Sequence, residues 1–174
     1  GNDGDYCSIS GNNNASNSGN YCSISGRSAN NNALDYARVH GGGTDARLID
    51  VVAKLNTTDA TPTALTLGGA AEDATNRIVI PADTAWLFTA NIIAKDSTSA
   101  KLQTWTRQGM IYNEGGDTTL DGLVGIGSDR DVGTLGATIA ITADDTNDAL
   151  KIEGTGFAAT TIDWTARVEI TQVG

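Results

Sequence analysis

Apolar and polar side chains alternate along most of residues 47–173. In the last segment of this kind, 161–173, every second residue from Ile162 to Ile170 is apolar and the residues between them are polar. A period of two is typical of a β-strand that has one face on a core and the other in water. No stretch has the apolar stripe of an amphipathic helix. The pattern predicts strands at Leu48–Asn56, Thr63–Leu67, Arg77–Ile80, Trp86–Lys95, Lys101–Tyr112, Thr119–Gly125, Ala137–Thr142, Ala149–Glu153 and Thr161–Val173.

Short runs of Gly, Asn, Asp and Pro separate these segments, for example Gly115-Gly116-Asp117 and Gly154-Thr155-Gly156. These residues tolerate the backbone conformations of tight turns. Many short strands joined by turns are typical of an all-β domain. For residues 48–174 we therefore predict an antiparallel β-sandwich of the jelly-roll kind, which would form the tip of the molecule.

The first quarter of the chain repeats itself every 15 residues. The three lines are GDYCSISGNNNASNS at 4–18, GNYCSISGRSANNNA at 19–33 and LDYARVHGGGTDARL at 34–48, with Tyr6, Tyr21 and Tyr36 in one column. Each line has a short alternating run followed by turn residues, as one coil of a parallel β-roll or β-helix requires. We predict such a coiled segment over residues 1–47.

These coils are poor in apolar side chains, with two or three in each. Ordering the backbone costs about 1–2 kcal/mol per residue, which so few side chains do not offset. The segment therefore needs further coils before it, partner chains, or both. This need predicts an oligomer, and a trimer is the form that we expect.

Two resemblances follow from these motifs. The run Cys7-Ser8-Ile9-Ser10-Gly11 resembles the coils of trimeric autotransporter adhesin heads, over about residues 4–47. The order of TTDATPT at 57–63, IVIPADTAW at 78–86, ALKI at 149–152 and WTARV at 164–168 resembles C-terminal domains of tailed-bacteriophage tail fibres. The resemblance implies a homotrimeric virion protein, assembled in the host cytoplasm and extracellular when mature, whose tip attaches to a host surface glycan or protein.

The resemblance leaves other readings open. A capsid decoration, head fibre or baseplate element without receptor binding is the main alternative. A bacterial trimeric adhesin and a glycan hydrolase are two more. Under the fibre reading, the partners are two further copies of the chain, other virion tail proteins and the host receptor.

The formal net charge is −10, with 21 acidic and 11 basic residues. A nucleic-acid partner would need a basic surface, which this composition does not supply. No apolar run reaches the about 20 residues that a membrane span needs. We therefore expect no nucleic acid and no membrane insertion.

Motifs for catalysis or metal binding are scarce. The chain has no GxxxxGK[ST] loop and no GxSxG elbow, and its one histidine, His40, has no ligand cluster around it in the sequence. Cys7 and Cys22 share a repeat column with Ala37, which favours small core residues over a disulfide or a metal pair. The acidic loop 144–148 favours a solvated turn over a calcium site. We expect no enzyme activity, catalytic residue, metal or cofactor.

Binding residues are expected in loops at the end of a rigid sandwich. Trp86 and Trp164 fall on buried faces by alternation, whereas the environment of Trp105 is ambiguous. The remaining aromatic and charged residues near turns are the candidates. The predicted receptor-binding set is Tyr112, Asn113, Glu114, Asp129 and Arg130.

Overall fold

The computed structural model describes residues 8–10, 21–27, 34–42 and 46–174. These residues form fourteen β-strands and no helix, which confirms the all-β prediction. None of the described residues belongs to a helix that could cross a bilayer. The strands are β1 Ser8–Ser10, β2 Ser23–Arg27, β3 Ala37–Gly42, β4 Ala46–Thr57, β5 Thr63–Ala64, β6 Thr66–Leu67, β7 Ile78–Val79, β8 Thr84–Asp96, β9 Leu102–Glu114, β10 Asp117–Gly125, β11 Arg130–Val132, β12 Thr138–Asp144, β13 Ala149–Thr155 and β14 Ile162–Val173.

The strands form two sheets. The larger has ten strands in the order β1-β2-β3-β4-β14-β8-β9-β10, with β6 also paired to β4 and β11 to β9. The smaller has four strands, with β13 in contact with β12, β5 and β7. The repeat strands β1–β3 therefore lie at one edge of the large sheet, and β10 and β11 lie at the other.

The repeat strands pair in parallel with a constant offset. Ile9 is opposite Ile24, and Ile24 is opposite Val39, so each step is 15 residues. The rings of Tyr21 and Tyr36 stack with their centroids 5.0 Å apart, and both residues have a positive φ. The 15-residue register is thus confirmed for these strands. Tyr6 and Cys7 lie outside the described residues.

Apolar side chains of the repeat are buried in the same hydrophobic cluster as the body of the protein. Ile24 and Val39 are fully buried, and Ala37 and Cys22 nearly so. The Cys22 thiol donates a hydrogen bond to the Leu34 carbonyl at 2.9 Å. Cys22 therefore packs as a core thiol, as predicted, whereas the prediction for Cys7 falls outside the described residues.

Four long antiparallel strands, β4, β14, β8 and β9, form the centre of the large sheet. Alternate residues of these strands are buried, including Trp86, Phe88, Trp164 and Ile170. A buried polar pair links two of the strands, because the Trp86 indole N–H donates to Gln172 Oε1 at 3.0 Å. The alternation read from the sequence is confirmed along these strands.

The small sheet packs on the buried face of the large one. A Cβ at Gly154 of β13 would come within 2.9 Å of the indole ring of Trp164 on β14, so glycine allows this close approach. Trp105 lies on the same buried face and stacks on Trp164, with ring centroids 5.8 Å apart. The ambiguity over Trp105 is thereby resolved, because only 5% of this residue is exposed.

Three features differ from the expected strands. The segment Thr63–Leu67 divides at Leu65, because β5 pairs with β13 and β6 pairs with β4 in the other sheet. The three-residue strand β11 was not predicted, and the boundary drawn between residues 47 and 48 falls inside β4. Of the described strands, ten belong to the large sheet and four to the small one. The β-roll, the jelly-roll sandwich and the trimer stay predictions.

Several turns are closed by an aspartate that accepts hydrogen bonds from the turn itself. In the turn after β8, Asp96 accepts bonds from the Ser99 hydroxyl at 2.7 Å and from the backbone N–H and the hydroxyl of Thr98, both at 2.8 Å. These bonds stabilise the ionised carboxylate and lower the pKa of Asp96 from 3.8 to about 2. Hydrogen bonds from Thr61 and Thr75 lower the pKa values of Asp59 and Asp73 in the same way.

These turns predict a loss of stability in acid. A carboxyl whose pKa is lower in the folded state stabilises the fold above its unfolded pKa, and this stabilisation disappears as the pH falls through the folded value. We therefore expect the melting temperature to decrease between about pH 4 and about pH 2. Thermal melts of the native chain and of Asp96→Asn should differ most at pH 5 to 7 and converge near pH 2. A difference that grows on acidification would contradict this assignment.

Candidate functional site

The five predicted binding residues all lie near the edge of the large sheet opposite the repeat strands. Tyr112, Asn113 and Glu114 end β9 before the turn into β10, whereas Arg130 is opposite Thr104 near the start of β9. Thr104 and Tyr112 are eight residues apart on one strand, a separation of roughly 26 Å at about 3.3 Å per residue. The structure thus brings the five residues to one edge but into two separate groups.

The first group surrounds the β9–β10 turn. Asn113 is buried, donates a hydrogen bond to the Ile80 carbonyl at 3.3 Å and accepts one from the Gly116 N–H at 2.9 Å. The Gly115 N–H donates to Asp83 Oδ1 at 3.2 Å. Asn113 therefore holds the turn in place, and the exposed Glu114 and the half-buried Tyr112 are the side chains that reach the surface.

The second group is built around an ion pair. Both terminal nitrogens of Arg107 donate to the carboxylate of Asp129, at 2.6 and 2.7 Å. These bonds lower the pKa of Asp129 and raise the pKa of Arg107. A bidentate pair fixes the direction of both side chains. Asp129 thus anchors the loop before β11, and Arg130 next to it is exposed.

Carboxylates in the neighbouring loops accept hydrogen bonds from the chain itself. Asp131 accepts the Leu135 and Gly136 N–H groups at 2.7 and 3.2 Å. In the loop between β12 and β13, Asp145 accepts the Thr118 N–H at 2.6 Å and Asp148 accepts the Thr118 hydroxyl at 3.0 Å. These bonds connect the loop to β10 and account for its acidic residues as structural groups.

A metal site needs several ligand side chains grouped around one point. Within the described ranges, no three or more His, Cys, Asp or Glu side chains are grouped so that they could hold a metal ion. His40 is exposed and its Nδ1 forms a hydrogen bond with the Ser25 hydroxyl one coil away.

A different surface has a concave shape. We call the outward face the set of side chains on β3, β4, β14, β8 and β9 that point away from the small sheet. A groove of about 500 Å³ lies along it, with Arg38, Leu48, Asp50, Leu87 and Gln108 in its lining. The alternation in the sequence predicts only that this face of the strands is in contact with water.

Ion pairs form one part of the outward face. Arg167 on β14 donates two hydrogen bonds to Asp50 on β4, at 2.9 and 2.8 Å, and lies 3.0 Å from Glu169. The hydrogen bonds that Arg167 donates to Asp50 raise the pKa of Arg167. Because these groups are largely exposed, the pairs orient the side chains more than they stabilise the fold.

Large apolar side chains form another part of the same face. Leu48, Leu87, Met110 and Val173 are 57%, 53%, 43% and 56% exposed. They belong to four different strands and come together only through the strand register. A sequence signal was available, since Leu48, Leu87 and Val173 occur at polar positions of alternating strands, but single exposed apolar residues are common.

Comparison with known proteins adds a weak structural similarity. No protein-family model matches the chain, and no curated protein matches it. The tailspike protein gp49 of Acinetobacter baumannii bacteriophage Fri1, a capsular polysaccharide depolymerase, is similar with a TM-score of 0.41 and 9% sequence identity. The match covers 94% of this chain and 33% of the tailspike chain. A similarity at this level carries no argument about function.

Proposed function

We propose that this chain is a subunit of a homotrimeric bacteriophage tail fibre and that its sheet edge at β10 and β11 attaches the virion to a host surface glycan or protein. The repeat segment 1–47 is a β-roll shaft, and residues 48–174 form a sandwich at the tip. Other tail proteins of the virion hold the shaft.

The observation that carries the proposal is the placement of the repeat and the loops at opposite edges of one sheet. The parallel strands β1–β3 extend the sheet on one side by equal steps of 15 residues, as a shaft of coils would. The β9–β10 turn and the loop before β11 lie on the other side. A shaft attached at one edge leaves the other edge facing away from the particle.

The exposed side chains at this far edge suit a polar ligand. Glu114 offers negatively charged hydrogen-bond acceptors, and Arg130 offers positively charged hydrogen-bond donors. Tyr112 offers an aromatic ring. Asn113 and Asp129 hold the two loops through the bonds described above. Three copies in one fibre would bind several receptors at once, so that weak single sites add to a firm attachment.

A competition assay tests the attachment role. Purified chain added to cells that the parent particle infects should reduce adsorption of the particle, because both bind the same surface groups. The double variant Glu114→Ala with Arg130→Ala should compete less, by about tenfold if each lost polar contact contributes roughly 0.5–1.5 kcal/mol. Counting unadsorbed particles after mixing measures this effect.

A matched control removes one acid and one base elsewhere. Glu72 and Arg77 form an ion pair with 3.0 Å between their side chains, and this pair lies away from the far edge. The double variant Glu72→Ala with Arg77→Ala should therefore compete as the native chain does. Absence of competition by the native chain, together with antibody labelling over the capsid, would instead support a decoration protein. Equal loss in both double variants would rule out the far edge as the binding surface.

A further inference from the structure

Apolar side chains on the outward face form a row across the sheet in which one position, Thr171, is polar. Leu48 is opposite Thr171, Thr171 is opposite Leu87, and Leu87 is opposite Met110. Val173 lies one outward position beyond Thr171 on β14. Each of these apolar residues is at least 43% exposed in the single chain. Removing such a row from water favours assembly, because apolar surface is transferred out of water.

The charge of this face differs from the charge of the chain. Apart from Glu114 at the far edge, its strands present four cationic side chains, Arg38, Lys54, Lys95 and Arg167, and three anionic ones, Asp50, Asp163 and Glu169, so its net formal charge is +1. The whole chain has a net charge of −10. Two copies that meet through any strongly acidic surface repel each other. The outward face is therefore a surface on which copies of this acidic chain can meet without that repulsion.

We infer that the outward face is the surface through which copies of this chain assemble, with the row Leu48, Leu87 and Met110 at the centre of the contact. The inference rests on the proposed trimer and names its interface. The row runs across the strands, in the direction in which the 15-residue coils stack. In a trimer whose threefold axis is parallel to this direction, Leu48 and Leu87 of one copy have the same height along the axis as Leu48 and Leu87 of the next copy.

A charge introduced into the row tests the inference. Leu87→Glu should convert the trimer to a monomer at micromolar concentration, with association weakened by on the order of 100-fold or more, because like charges meet in a desolvated contact. The folded monomer should keep its melting transition, since Leu87 is exposed within one chain. Sedimentation velocity and thermal melting of the same samples measure both effects.

A matched control and a second variant make the result decisive. Phe157 is 39% exposed but lies between β13 and β14, outside the large sheet, so Phe157→Glu should remain a trimer. Leu87→Cys should form disulfide-linked pairs of chains under mild oxidation. A native trimer that stays trimeric with Leu87→Glu and does not cross-link through Leu87→Cys would overturn this interface and leave the trimer intact. A monomeric native chain would overturn both the trimer and the interface.

Discussion

Replacing Trp164 with alanine is expected to lower the free energy of unfolding by about 3–5 kcal/mol, the cost typical of removing a large buried aromatic side chain. Trp164 is 2% exposed and lies between the two sheets. Its indole stacks on Trp105, its N–H donates to the Thr57 hydroxyl at 3.0 Å, and its ring fills the space above Gly154. Its removal opens a cavity and leaves the Thr57 hydroxyl without this donor.

Denaturation by urea, followed by tryptophan fluorescence and circular dichroism, measures the change. Trp164→Phe is the informative control, because phenylalanine keeps most of the ring and loses only the N–H and part of the volume. Trp164→Phe should lower the free energy of unfolding by less than half as much as Trp164→Ala does. Equal effects of the two variants would mean that the hydrogen bond to Thr57, rather than the filling of space between the sheets, accounts for the stability.

Ile24→Ala is expected to destabilise the protein by about 2–5 kcal/mol. Ile24 is fully buried, and its strand partners on the two sides are Ile9 and Val39. The repeat strands belong to the same hydrophobic cluster as the body, so a cavity at Ile24 weakens the attachment of the coils to the large sheet. The proposed trimer should also become less stable, because the coils contribute to the shaft.

Ser23→Ala is the matched control for this position. Ser23 is the neighbour of Ile24 on β2 and points to the outward side, with its hydroxyl 3.4 Å from the Ser8 hydroxyl. Its replacement should change the stability by less than about 0.5 kcal/mol, as is usual at exposed positions. If Ile24→Ala were as mild as Ser23→Ala, the coils would not be part of the cooperative core.

The strands could be predicted because their signal is local. In β14 every second residue from Ile162 to Ile170 is buried, so the alternation alone indicates both the strand and its buried face. The repeat at Tyr21 and Tyr36 could also be predicted, because the same residue type at a constant spacing indicates the same position in successive stacked coils. The division of Thr63–Leu67 between two sheets was not readable, because it depends on pairing partners far along the chain.

The candidate surfaces were less predictable for the same reason. The alternation could place Tyr112 and Glu114 at a strand end, but the burial of Asn113 depends on its bonds to Ile80 and Gly116. The row of Leu48, Leu87 and Met110 exists only once the register of four strands is known. A single apolar residue in a polar position carries little information until its neighbours across the sheet are identified.

The proposed fibre depends most directly on the assembly of three identical chains. Sedimentation equilibrium of the native chain at micromolar concentration measures the mass of the particle in solution without a shape assumption. A single species of three times the chain mass is the result expected from the outward face, which is close to neutral and carries exposed apolar side chains. A species of one chain mass over the same concentration range would contradict the account.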